Sequence, residues 1–205
     1  MRLSTRRGEP HDFAFLQMRP LSVAQALDDQ HFDDVPGEAV LVRSQTVLGN
    51  GIVEVQDVVA VDRDRFERGA SLDVAAEIAR FNAELHAQGR PYLLVGVGRW
   101  GSSDPWLGIP VTWEQIDGAR AIVETGFRDF RVTPSQGSHF FQNLSSFQVG
   151  YFTVNADLGD GFVDWEWLAA QPALSERGCV RHLRFDSPVV VRMNGRRSEG
   201  VILKP

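Results

Sequence analysis

The chain has 205 residues, 43% of them hydrophobic and 23% charged, enough for one domain with a real core or one domain plus an appendage. Its net charge of −6 argues against duplex nucleic acid as a partner, because phosphate backbones need a basic face, but it allows a small anion in a local pocket. Cys179 is the single cysteine, so no internal disulfide can form and a reducing, cytoplasmic setting is expected. No apolar run approaches the ~20 residues of a membrane span, and Gly8, Glu9 and Pro10 stand where a secretion signal needs apolar residues.

Residues 1–10 are polar, and "DFAFLQMRPL" (12–21) alternates Phe13, Phe15 and Gln17 against Ala14, Leu16 and Met18, the pattern of a short strand stopped by Pro20. A short helix is expected over 22–34, where Val23, Ala26 and Leu27 share a side, and Val35-Pro36-Gly37 is punctuation. Two β-rich runs, 38–48 and 51–61, flank Gly49-Asn50-Gly51, and an Asn-Gly pair between such runs predicts a hairpin. Residues 71–89 place Val74, Ile78, Phe81 and Leu85 on one face, with Ser71 as the expected cap and Gly89 and Pro91 at the end, which predicts a helix.

"PYLLVGVG" (91–98) reads as a buried strand, 113–121 as a short helix, 120–125 as a strand and 127–132 as another. Residues 138–147 predict a helix with Phe140, Phe141 and Leu144 inward, 149–155 a strand, and 161–171 an amphipathic helix with Phe162, Trp165 and Ala169 on one side. The end is β again: 179–185, then a hairpin over 188–204 around Asn194-Gly195. The fold class that follows is mixed α+β, predominantly β with three or four short helices packed on the sheet, and the helices are too few for a regular doubly wound sheet.

Gly96-x-Gly98-x-x-Gly101 has the spelling of a dinucleotide turn, but its third glycine should open a helix, and here Ser-Ser-Asp-Pro-Trp-Leu-Gly-Ile-Pro follows. Two readings of the loop stand side by side. In one, glycines and tryptophans make a tight irregular loop. In the other it is a ligand loop: Arg99 offers a fork of donors, Ser102 and Ser103 hydroxyls, Gly98 and Gly101 close backbone N–H groups, and Asp104 a cap, an orienting partner for Arg99 or a metal contact.

A second constellation is "TPSQGSHFFQN" (133–143), where Gln136 and Ser138 lead into a helix start whose N–H groups can receive an anion and where His139 can act as acid, base or phosphoryl acceptor. The plainer alternative is that Ser138 caps the helix and His139 is a surface residue. His11, His31, His86, His139 and His182 are scattered without zinc spacing, so no metal site is expected.

"FLQMRPL" (15–21) resembles the closing strand of the nucleotide-binding, ATP-grasp domain of phosphoenolpyruvate synthase and pyruvate phosphate dikinase, through Gln17, Met18, Arg19 and Pro20. "VLGNGI", "RPYLLVGVGRWGSSDPWLGIPV", "IVET" and "PSQGSHFFQNLSSFQVGYFTVN" resemble the C-terminal region of large bacterial proteins of that kind, over most of 38–205. The resemblance implies that 1–35 is the terminal strand and tail of an ATP-grasp domain and that 36–205 is a mixed α/β accessory domain. It makes Gln17 and Arg19 nucleotide contacts, with ATP and Mg²⁺ as cofactors of a full-length parent phosphotransferase, and the upstream ATP-grasp domain a partner. Gly137-Ser138-His139 echoes the family's phosphohistidine context, with Phe140-Phe141 where the family has small residues.

The expected function is therefore an accessory module, not catalytic alone, that binds a phosphate- or carboxylate-bearing ligand through Arg99, Ser102, Ser103 and His139. The alternatives are a non-enzymatic docking module and a nicotinamide-dependent enzyme.

Overall fold

The computed structural model describes residues 2–3, 13–14, 32, 34–126, 131–132 and 139–205, with backbone alone at 2–3, 13–14, 139–141 and 145. The chain begins with an antiparallel pair, β1 (Arg2–Leu3) and β2 (Phe13–Ala14). One ten-stranded sheet follows, built from β3 (Val40–Ser44), β4 (Thr46–Leu48), β5 (Asn50–Val61), β6 (Tyr92–Val97), β9 (Ala119–Thr125), β10 (Gly150–Val154), β11 (Phe162–Val163), β12 (Ser175–Arg177), β13 (Val180–Asn194) and β14 (Glu199–Leu203). A small ladder, β7 (Arg99–Trp100) with β8 (Gly108–Ile109), lies in the connection from β6 to β9. Among the described residues the α-helices are α1 (Ser71–Ala87), α2 (His139–Ser146) and α3 (Trp165–Ala170). The class is the expected mixed α+β with strands predominating, although α1, at 17 residues, is not short. No helix among the described residues is long and apolar enough to cross a membrane.

Within the sheet the order is β11-β3-β14-β13-β5-β6-β9-β10-β4, with β12 on the outer edge of the first half of β13. β5, β6, β9 and β10 are parallel and adjacent in chain order; the other pairings are antiparallel. Parallel neighbours need long crossovers, which α1, the 98–118 segment and the α2 region supply. β3, one strand in from one end of this order, and β4, at the other end, are separated only by Gln45, so the sheet curls until its two sides meet.

Two apolar clusters follow from the two faces. The concave face holds Leu41, Val58, Leu93, Val123, Phe152, Leu183 and Val191. The convex face meets α1 and the loops through Val59, Ile78, Phe81, Leu94, Trp100, Ile122 and Tyr151. Alternation along β9 separates them, sending Ile122 outward and Val123 inward. α1 buries Val74, Ile78, Phe81 and Leu85, as the spacing predicts. Ser71 is not its cap: it is the first helical residue, and its buried hydroxyl donates to the Pro105 carbonyl at 3.0 Å. The helix ends with Gly89 N–H bonded to His86 O and Arg90 N–H to Leu85 O, a Schellman arrangement.

The predicted 38–61 hairpin does not form. β4 pairs with β10 and β5 with β13, so the two runs share no ladder, and Asn50 instead accepts a hydrogen bond from Gly195 N–H through Oδ1 at 3.0 Å. The hairpin around Asn194 does form, with Asn194 opposite Glu199. The separate strands read at 179–185 and 188–194 are one, because a bulge between Arg184 and Val189 lets β13 continue past Pro188. Of the helix expected over 113–121 only a single turn, Trp113–Gln115, is present. The strand read at 12–21 and the helix read at 22–34 fall largely outside the described residues, and so do most of the strand read at 127–132 and the proposed ATP-grasp contacts Gln17 and Arg19.

At the start of the parallel strands, Asp57 is 1% exposed. Its Oδ1 accepts from His182 Nε2 at 2.7 Å and Arg184 Nε at 2.8 Å, and its Oδ2 accepts from Arg90 Nε at 2.7 Å. Burial acts to raise its pKa, but the bonds from His182, Arg184 and Arg90 outweigh it and hold the carboxyl at about 2. Asp57 thus ties β13 and the α1–β6 connection to β5. Because this folded-state value lies below the usual 3.8, the stabilisation is complete above that pH and is lost as pH falls through about 2. Asp57→Asn is expected to cost about 3 kcal/mol at pH 7 in urea unfolding, and the gap between variant and parent should close as pH falls from 4 towards 2.

Candidate functional site

The C-terminal ends of β5, β6, β9 and β10 face one way, the side of a parallel sheet where ligands commonly bind. The residues after β6 form the glycine loop. Trp100 folds back over the strand and its Nε1 donates to Val123 O at 2.9 Å, so any side chain at Gly96 would run into its ring. Gly98 has φ +72°, and a Cβ there would lie 2.8 Å from Gly108 Cα, where the two legs of the loop cross. Arg99 N–H bonds Leu107 O and Gly101 N–H bonds Ile109 O, zipping those legs together. No helix follows Gly101; turns and bends run to Leu107.

The polar residues of this loop largely serve the loop. Ser102 Oγ donates to Asp104 O at 2.8 Å and accepts from Asp104 N–H at 3.2 Å, while Asp104 Oδ1 accepts from Trp106 N–H at 2.9 Å. Ser103 and Asp104 are exposed. Arg99 differs: it is half-buried, and its charge acts on Glu124 and Tyr151.

Glu124, on β9, is 1% exposed. One carboxylate oxygen accepts a short hydrogen bond from the Tyr151 hydroxyl, and the other accepts from Thr153 Oγ1 at 3.0 Å. Burial pushes its pKa up to about 7; the bonds from Tyr151 and Thr153, the Arg99 charge and the Trp100 N–H offset that only in part. Tyr151 is pushed well above its usual value, first by burial and then by the neighbouring carboxylate. Glu124 therefore titrates near neutrality inside the fold. The signal in the sequence was a polar residue sharing the buried face of "IVET" with Ile122.

His139 is the first residue of α2. The last turn of α2 is joined to the start of β10 by Val149 N–H bonding Leu144 O at 3.0 Å, and Phe147 stacks on Trp113 at 5.3 Å, ahead of β9. The His139 side chain lies outside the described residues, as do Gln136 and Ser138.

Beside Glu124 along β9, Thr125 and Gly126 line a cavity of 270 Å³ between the strand ends and the β11–α3 segment. Arg63, Arg131, Asn155 and Trp165 also line it. Asn155 bonds both backbone groups of Val132, accepting from its N–H at 2.9 Å and donating to its carbonyl at 3.0 Å, which holds Arg131 against the strand end. Both arginines are exposed. Neither makes a hydrogen bond or ion pair with a described residue. The sequence reading missed Arg63, Arg131 and Asn155, because they follow three different strands, β5, β9 and β10, and only the sheet brings those strand ends together. Among the described residues no group of three metal-ligating side chains stands together.

A carboxyl protonated in the folded state and ionised in the unfolded chain stabilises at low pH. The Glu124 contribution is complete below the usual 4.5 and is lost as pH rises through about 7. Unfolding free energy measured across this window should therefore fall by up to about 3 kcal/mol more in the parent than in Glu124→Gln, whose profile lacks this slope.

Compared with known proteins, the chain matches no family model, no curated protein and no solved structure.

Proposed function

We propose that the chain is a binding module for a small phosphate- or carboxylate-bearing ligand, and that it serves as the C-terminal accessory portion of a phosphotransferase resembling phosphoenolpyruvate synthase and pyruvate phosphate dikinase. It is not catalytic alone. The observation that carries the reading is the pair Arg63 and Arg131, both exposed at one cavity on the ligand-binding side of a parallel sheet. Guanidinium forks suit carboxylates and phosphates, and their charge is available where no carboxylate already holds it.

On this reading the anion site is centred on the β9 and β10 ends, and not on the hydroxyls of the glycine loop. Ser102 and Asp104 are occupied with each other. Arg99 acts from the neighbouring strand end, through Glu124, one residue before the cavity-lining Thr125. Gln17 and Arg19 belong to the upstream nucleotide site, where ATP and Mg²⁺ serve the parent enzyme. The module's part is to hold an anionic substrate or product by charge and position.

A docking module is the second reading, and one observation favours it. Trp106 and Leu72 are each 64% exposed, and the Ser71–Pro105 hydrogen bond brings their segments together. The readings part in a thermal melt. Under the ligand reading, inorganic phosphate or phosphoenolpyruvate at a hundredfold excess over its Kd raises Tm by about 5 °C or more, and Arg63→Gln with Arg131→Gln removes the shift without lowering the unliganded Tm. If no anion moves the melt of the parent chain, the ligand reading fails and docking stands.

A further inference from the structure

We infer that the cavity at the β9 and β10 ends selects a monoanionic carboxylate carrying a flat apolar body, such as an aromatic ring, over inorganic phosphate. The inference rests on the anion-binding reading above and narrows it.

Charge comes first. Among the described residues the ionisable ones lining the cavity are Arg63, Arg131 and Asp157, two cations and one anion. Their sum matches a single negative charge, and Asp157 repels a second. The donors point the same way. Phosphate sites usually draw several backbone N–H groups from a glycine-rich loop or a helix start. Four backbone N–H groups at or beside the cavity are already bonded: Gly126 N–H to Val154 O at 2.9 Å, Leu158 N–H to Asn155 O at 2.9 Å, Gly159 N–H to Ala156 O at 3.0 Å and Val132 N–H to Asn155 Oδ1 at 2.9 Å. The guanidinium groups are the cavity's charged donors among the described residues, and a planar fork fits a planar carboxylate with two parallel hydrogen bonds.

The other wall is apolar. Phe162, Val163 and Trp165 line the cavity, and Trp165 packs against both hydrophobic clusters, so its ring is fixed from two sides. A cluster of hydroxyls or phosphates gains nothing against such a wall, whereas a ring buries area there at about 25 cal/mol per Å². The volume of 270 Å³ equals about nine waters at liquid density, which suits a ring with a short acid arm and is small for a nucleotide.

Isothermal titration of the full chain with 3-phenylpropionate, 3-phenylpropanol, acetate and inorganic phosphate tests this. The expected result is 3-phenylpropionate at least tenfold tighter than each of the other three, with a tenfold or greater loss in the Arg63→Gln, Arg131→Gln double variant, whose unchanged melt verifies folding. Phosphate binding as tightly as the aromatic acid overturns the inference and leaves the anion module standing. Equal binding of 3-phenylpropanol removes the role of the carboxylate and overturns it too. If no anion binds at all, the inference and the module reading fall together.

Discussion

A single kinked segment serves both ends of the sheet, and the rest of the architecture depends on it. β3 pairs with β14 and β4 with β10, with only Gln45 between them. A kink exposes backbone groups that a straight strand would pair, and here they are met. Ser44 Oγ donates to Thr153 O at 2.6 Å and accepts from Thr46 N–H at 3.0 Å. Asp160 accepts from Gln45 N–H at 3.3 Å and from Thr46 Oγ1 at 3.0 Å. Closure leaves few open edges in the main sheet and encloses a concave core of aliphatic residues around Phe152. It also draws the ends of the four parallel strands to one rim.

The two buried acids show what that geometry does to charge. Asp57 and Glu124 are equally hidden, at opposite ends of the parallel strands, yet their acidities move in opposite directions. Asp57 meets one imidazole and two guanidinium groups within hydrogen-bonding distance, and these offset its desolvation. Glu124 meets two hydroxyls, with Arg99 acting on it more remotely, and desolvation wins. The first acid is a structural clamp. The second sits poised near neutrality one residue from a cavity, the kind of placement in which perturbed carboxyls often serve a site.

What could be read from the sequence was what short-range physics decides. The apolar spacing of Val74, Ile78, Phe81 and Leu85 specified α1, and the unbroken run 92–97 specified a strand buried on both faces. Asn194 marked a real hairpin, but Asn50-Gly51 did not, because long-range pairing with β13 and β10 outcompeted the local turn. The density of polar residues at 102–104 reads as a ligand loop, but Ser102 and Asp104 bond each other, a competition between local and external partners that sequence alone cannot decide. Glu124 lies near the end of the strand read at 120–125; what it bonds to there, Tyr151 and Thr153, comes from a strand 27 and 29 residues away.

The cavity wall is more ordered than its shortness should allow. α3 has six residues, too few to persist alone in water. Its start is capped by Asp164, which accepts from Trp167 N–H at 2.9 Å and pairs with Lys204 at 2.7 Å. Its end is held by Arg181, which donates to the carbonyls of Leu168, Ala169 and Gln171 while Glu176 neutralises it. With both termini satisfied, Trp165 presents a fixed face to the cavity. Ordering a long side chain on binding costs up to about 2 kcal/mol, so under the proposed function a wall already fixed lowers the cost of ordering to that of the exposed rim, Arg63 and Arg131 above all. On the proposed reading, selectivity lies in the wall and attraction in the rim, and shape can discriminate between ligands of the same charge.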